Sequence, residues 1–167
     1  MADLRIPISP IHSMVQTAGD ATHPPYIRLL NPAASGFILR VYEIYVGTNA
    51  APTNRMKMRR ISASGIGTGG TVTTGLTARR DENDATSIVA TLVGCTAHTG
   101  TIFTEAQSFW YDKLPQGSSA GYNSFPILAP GSFPLIVKAN SAIEFASGDA
   151  AAASVIGLYA IWDEIAG

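Results

Sequence analysis

The 167-residue chain is 46% hydrophobic but only 14% charged, with a net charge of −1. That length fits one domain and can bury a core without disulfides or metals. The charged fraction is well below the roughly 25% of ordinary globular domains, so part of the surface is expected to be subunit interface, and the near-zero charge excludes long-range attraction to nucleic acid or to anionic membranes.

Met1 to Gln16 has no cationic head followed by an apolar run, so no signal peptide is expected. No apolar run approaches the length of a membrane span, and synthesis and folding in a cytoplasm follow. Residues 1–25 carry Pro7, Pro10, Pro24 and Pro25 and show little periodicity. They read as an N-terminal arm, disordered or tied to a partner, ahead of a folded domain over 26–167.

From Tyr26 onward, Gly and Pro punctuate short β-rich runs, the spacing of a sandwich or barrel. Strands are predicted near Tyr26–Leu30, Phe37–Val46, Arg55–Ser62, Thr71–Thr74, Ser87–Gly94, Ile102–Tyr111, Ile127–Leu128, Leu135–Lys138, Ala142–Phe145 and Ser154–Ile165. Turns are expected at Asn31-Pro32 with Ser35-Gly36, at Gly47 with Asn49 and Pro52, over Gly65 to Gly70, and at Ala129-Pro130-Gly131. No stretch sustains a helical period, and the run Ala150 to Ala153 is too short to hold a helix alone. The fold class that follows is all-β, an antiparallel β-sandwich with the strand number of a jelly roll.

Several of these strands are apolar on both faces. Phe37, Leu39, Val41 and Tyr45 alternate with Ile38, Tyr42, Ile44 and Val46. Ile156, Leu158, Ala160 and Trp162 oppose Val155, Tyr159 and Ile161, and Ile88, Ala90 and Leu92 oppose Val89, Thr91 and Val93. A sheet with one wet face should alternate apolar and polar. The outer faces therefore need a cover, and a neighbouring subunit is the simplest, with a long loop or the arm as alternatives. Tyr42, Ile44, Tyr159, Ile161 and Trp162 are the candidate residues of a homo-oligomeric, trimeric interface.

Motifs of chemistry are weak throughout. Gly65 to Gly70 fits G-x-G-x-x-G, but Thr71-Val72-Thr73-Thr74 follows instead of the helix whose N-terminus would hold a phosphate. Gly117 to Gly121 fits G-x-S-x-G, yet His12, His23 and His98 all precede Ser119, and no strand leads into it. Neither a catalytic set nor a metal set nor a cofactor site is expected, the histidines being scattered. Asp81-Glu82-Asn83-Asp84 lacks the ligand spacing of a calcium loop and reads as a solvated turn, and Arg79-Arg80 next to Asp81-Glu82 are expected to form local or intersubunit ion pairs. Cys95 follows an apolar run and reads as a buried, inert thiol.

Arg55, Lys57 and Arg59 share one face at strand spacing, a candidate partner-facing basic strand. Without aromatic interleaving, nucleic acid is not the expected partner. Phe109, Trp110 and Tyr111 cannot form one flat sugar platform, because neighbouring strand residues point to opposite faces. Asp112 to Pro134 is Gly, Ser and Pro-rich and longer than a connection needs, which suits a binding loop or an interface lasso.

Tyr26-Ile27-Arg28-Leu29-Leu30-Asn31-Pro32, then Ser35-Gly36 and a long apolar strand to Val46-Gly47, resembles the opening of small jelly-roll proteins of tailed-phage particles. Thr77-Ala78-Arg79-Arg80-Asp81 is similar to a recurring loop of those proteins, and Pro134 to Lys138, Ile143-Glu144-Phe145 and Ile161 to Glu164 are similar to their closing segment. The resemblance, over about residues 26 to 165, is to head decoration (cement) proteins. It implies a TNF-like trimer on the outer capsid lattice, bound to the major capsid protein and strengthening the shell, with the arm as a capsid or neighbour contact. It implies a virion location, no membrane and no catalytic residues. The competing readings are a tail-fibre, spike or baseplate domain that binds a host receptor, a lectin-like carbohydrate-binding domain, and, last, a cupin-like enzyme.

Overall fold

The computed structural model describes residues 9–19, 25–48, 55–62, 71–80, 84, 86–96, 110–113, 123–128, 133–147 and 155–167. All regular structure among them is β: β1 (Ile11–Ala18), β2 (Tyr26–Asn31), β3 (Phe37–Thr48), β4 (Arg55–Ser62), β5 (Thr71–Thr74), β6 (Leu76–Arg79), β7 (Thr91–Thr96), β8 (Trp110–Lys113), β9 (Asn123–Leu128), β10 (Leu135–Val137), β11 (Ser141–Ser147) and β12 (Val155–Ala166).

The strands form two antiparallel sheets. Sheet I runs β10-β3-β12-β1-β6, with β9 also beside β3, and sheet II runs β5-β7-β2-β11-β4-β8. Setting aside β5, β6, β7 and β10, β1-β12-β3-β9 faces β2-β11-β4-β8, with successive strands crossing between sheets except β4 and β8, which pair in sheet II, the jelly-roll order. Between the sheets lie Ile11, Val15, Leu39, Ile44, Val46, Leu158 and Trp162 from sheet I, against Ile27, Leu29, Leu92, Ile143 and Phe145 from sheet II.

Three local features shape this frame. The segment read as an arm instead supplies β1, paired over its full length with β12 and from Ile11 to Met14 also with β6. Its inward positions are Ile11, Ser13, Val15 and Thr17, all buried, and two of the four are polar, which hid the alternation. Leu76–Arg79 likewise forms β6, also unforeseen. Gly75 lies between β5 in sheet II and β6 in sheet I, where the chain changes sheets. Its N–H donates to the Leu92 carbonyl at 2.7 Å, and an added Cβ would stand 2.9 Å from the carbonyl oxygens of Leu92 and Met14. The predicted Asn31 to Gly36 turn is present. The buried Asn31 amide donates to the carbonyls of Phe37 and Val137, and Gly36 takes the left-handed φ of +66°.

The third feature is a bulge. Ile161 pairs with Glu43 but Trp162 pairs with Val41, leaving Tyr42 in excess on β3. The bulge switches parity, so Leu39 and Val41 on one side and Ile44 and Val46 on the other all face inward. The two-sided apolarity of this strand is thereby explained largely within the chain.

Candidate interaction surface

The structure distributes the expected interface residues over two environments. Ile44 and Trp162 are fully buried between the chain's own sheets, and Tyr42 is 4% exposed. Ile44 and Trp162 are corrected from interface to core, for the parity switch turns Ile44 inward and Trp162 is the largest side chain of the core, while Tyr42 is buried at the bulge against the chain's own Arg40 and Asp163. Tyr159 and Ile161 stand on the opposite, outer face of β12 and are half-buried.

The basic strand is also corrected. Arg59 sits directly across from Glu144 of β11, and Arg59 Nε donates to Glu144 Oε2 at 2.6 Å. The Tyr26 hydroxyl donates to the other carboxylate oxygen. Glu144 is fully buried and Lys57 nearly so, so Arg59 is engaged by the chain's own carboxylate and Lys57 is largely withdrawn from the surface. The side chain of Arg55 lies outside the described residues. Burial first, then the hydrogen bond to Glu144, push the Tyr26 hydroxyl well above the ordinary tyrosine range. Cys95, on the same face, is buried as expected, and burial raises its thiol pKa. With Tyr26, Cys95 and Ala146 all buried, this part of the outer side of sheet II is closed.

The outer face of sheet I differs. Its cross-strand registers set up three rows. Ala78, His12, Ile161 and Glu43 form the first. Leu76, Met14, Tyr159 and Tyr45 form the second. Gln16, Gly157 and Gly47 form the third. Leu76 is 78% exposed and Met14 55%. Tyr159 shares a hydrogen bond with His12 Nδ1, and the Tyr45 hydroxyl donates to Glu43 at 3.0 Å. Both hydroxyls thus reach into the first row, and the two ring centroids lie 6.1 Å apart. Partial burial beside Glu43 raises both tyrosine pKa values, desolvation being the larger cause in each. His12 Nε2 is buried and has no hydrogen-bond partner among the described residues.

The glycine row makes a groove of about 290 Å³, walled by Met14, Gln16, Tyr45 and Tyr159 over Gly157 and Gly47. Among the described residues its lining is mostly apolar. Sequence reading found Tyr159 and Ile161 by alternation. It missed His12, Met14 and Leu76, because β1 and β6 were not recognised, and Gly157, which breaks no turn.

Other motifs resolve unevenly. Arg79 donates to Ser9 at 3.0 Å and lies 3.3 Å from Asp84, and both Asp84 and Glu164 brace the 84–90 segment. The expected partners of Arg79 and Arg80, Asp81 and Glu82, lie outside the described residues, and among the described ones Arg79 pairs with Asp84 and lies 3.9 Å from Glu164. Residues 65–70, 81–83, 109 and 117–121, with His23 and His98, lie outside the described residues. Among the described residues, no group of three or more His, Cys, Asp or Glu is placed to hold a metal ion. In comparison with known proteins, no family model, no curated protein and no solved structure matches the chain.

Proposed function

We propose that this chain is a structural, non-enzymatic subunit of a symmetric assembly, a decoration protein that binds the outer capsid lattice of a virus particle as a homotrimer. The observation that supports the assembly part is the outer face of sheet I. A jelly roll whose inner faces already fill its core still leaves Leu76 and Met14 exposed beside the half-buried Tyr45–Tyr159 pair on one contiguous face, the kind of patch that marks association. The decoration role rests on the sequence resemblance. Its mechanism is burial: each trimer covers surface on adjacent capsid subunits and raises the cost of separating them. A sugar-binding reading has less support, since the tyrosine hydroxyls that would orient a glycan are engaged with His12 and Glu43.

Particles assembled without the chain test this. They are expected to form normally yet release their contents at lower temperature, and purified chain added back is expected to restore resistance. Particles equally heat-resistant with and without it would refute the role.

A further inference from the structure

We propose that the mouth of the sandwich between β10 and the end of β4 is a binding site for a small organic anion, a carboxylate on a short apolar body, with Arg60 and Lys138 holding the charge. The site shares no residue with the groove on the outer face of sheet I and does not depend on the assembly reading.

The inner face of sheet II changes character at this end. Along β4, Met58 belongs to the core, and the next two positions on the same face are Arg60 and Ser62. Along β11, the core residues Phe145 and Ile143 share their face with Ser141. The register sets Ser62 directly across from Ser141, and Arg60 across from Ile143. Inward positions of a sandwich ordinarily carry apolar side chains that meet the other sheet. Here a cation and two hydroxyls take them, on adjacent strands at the same level. Departures of this kind from the core pattern concentrate at functional sites.

Among the described residues the two sheets do not close over this end. A cleft of about 360 Å³ opens among Arg60, Ser62, Ser141, Ile136, Val137 and Lys138, within the size range of small-ligand pockets. Lys138 enters from the side of sheet I, where the chain leaves β10 and turns into β11. Asn140 fixes that turn: its φ is 59°, and its N–H donates to the Pro32 carbonyl at 3.3 Å. Two cations thus line the cleft from different elements, and no Asp or Glu is among its described lining residues. An anion gains from both cations and from the two hydroxyls. Ile136 and Val137 supply an apolar wall, which suits a short hydrocarbon body and makes the charges count for more than in open water. A bare inorganic ion would leave that wall unused, so the ligand class is a charged head with an apolar tail.

Titration of the full chain with sodium hexanoate, followed by amide NMR shifts, tests this. Saturable shifts at Ser62, Lys138 and Ser141 are expected, with a dissociation constant of about 1 mM. Acetate and hexanol, which keep only the charge or only the chain, are each expected to bind at least about tenfold more weakly. Arg60→Gln and Lys138→Gln are each expected to weaken hexanoate binding about tenfold. Both should leave the melting temperature unchanged, since the two side chains are exposed. Lys138 lies outside the strands, so Lys138→Gln keeps the proposal testable if Arg60→Gln does not fold. The absence of saturable shifts at these amides overturns the site. So does hexanoate binding that both variants leave intact, or acetate or hexanol binding as tightly as hexanoate. None of these results alters the native mass on which the assembly reading stands.

Discussion

Arg40 and Asp163 stand directly across from each other on β3 and β12, on the outer side of sheet I just past the bulge. Arg40 Nε donates to Asp163 Oδ1 at 2.8 Å, and a second guanidinium nitrogen bonds the other oxygen. The Tyr42 hydroxyl adds a bond of 3.2 Å to the same carboxylate, and the guanidinium lies 5.8 Å from the centre of the Tyr42 ring. Bulge, ion pair and ring thus form one unit, in which the residue expelled from register supplies the cover for a buried charge.

Breaking this unit on one side leaves an uncompensated charge. Asp163→Ala is expected to cost about 3 to 5 kcal/mol in urea unfolding, while replacing Arg40 and Asp163 together by Met and Leu costs far less. A double-mutant cycle gives the coupling directly.

Glycines at two positions should respond oppositely. Gly75→Ala drives a methyl into two backbone carbonyls that cannot yield, and a loss of about 1 to 3 kcal/mol is expected from such overpacking. Gly157→Ala would meet, among the described residues, only the Val15 carbonyl oxygen at an ordinary 3.9 Å, and its effect on the monomer's stability should stay within about 0.5 kcal/mol. Thermal unfolding of the two variants beside wild type makes the comparison.

Two groups set the pH limits in opposite directions. Hydrogen bonds from Ser9 and then Thr86 hold Asp84 down at about 2. Its contribution is complete above the unfolded carboxylate value near 4 and is lost as pH falls toward 2. The stability difference between wild type and Asp84→Asn should therefore vanish over that interval. Burial, and next the charge of Asp163, push Tyr42 up to about 12. A raised phenol contributes fully below about 10 and loses its contribution as pH rises through 12. Tyr42→Phe should flatten the alkaline decline, followed by urea midpoints between neutral pH and the alkaline limit.

Cys95 is 2% exposed and its thiol pKa is raised by burial. Disulfide reagents attack the thiolate, so modification should wait on opening of the fold. The labelling rate is expected to track the unfolded fraction across a urea titration, and rapid labelling under native conditions would contradict the placement.

Much of the frame was legible in the sequence. Strands β2, β4 and β5 lie where the β-rich runs between Gly and Pro predict, β3 and β11 are there with slightly longer ends, and β12 is there shifted by one residue. What was hidden has physical causes. β1 buries Ser13 and Thr17 beside Ile11 and Val15, so no apolar alternation advertises it. The bulge at Tyr42 reverses parity without any sequence mark, which made one inward face look like two. Lys57 and Arg59 read as surface cations because nothing local reveals that Glu144, 85 residues beyond Arg59, lies opposite. Of the candidate surface, Tyr159 and Ile161 were visible from alternation alone, whereas the Leu76–Met14 pair and the glycine groove exist only once β1 and β6 flank β12.

The measurement closest to the central claim is the native mass of the purified full chain across a concentration series. A trimer is predicted, dissociating only on dilution. A single-chain mass that persists as concentration rises would mean the outer face of sheet I needs no partner, and the assembly account would not stand.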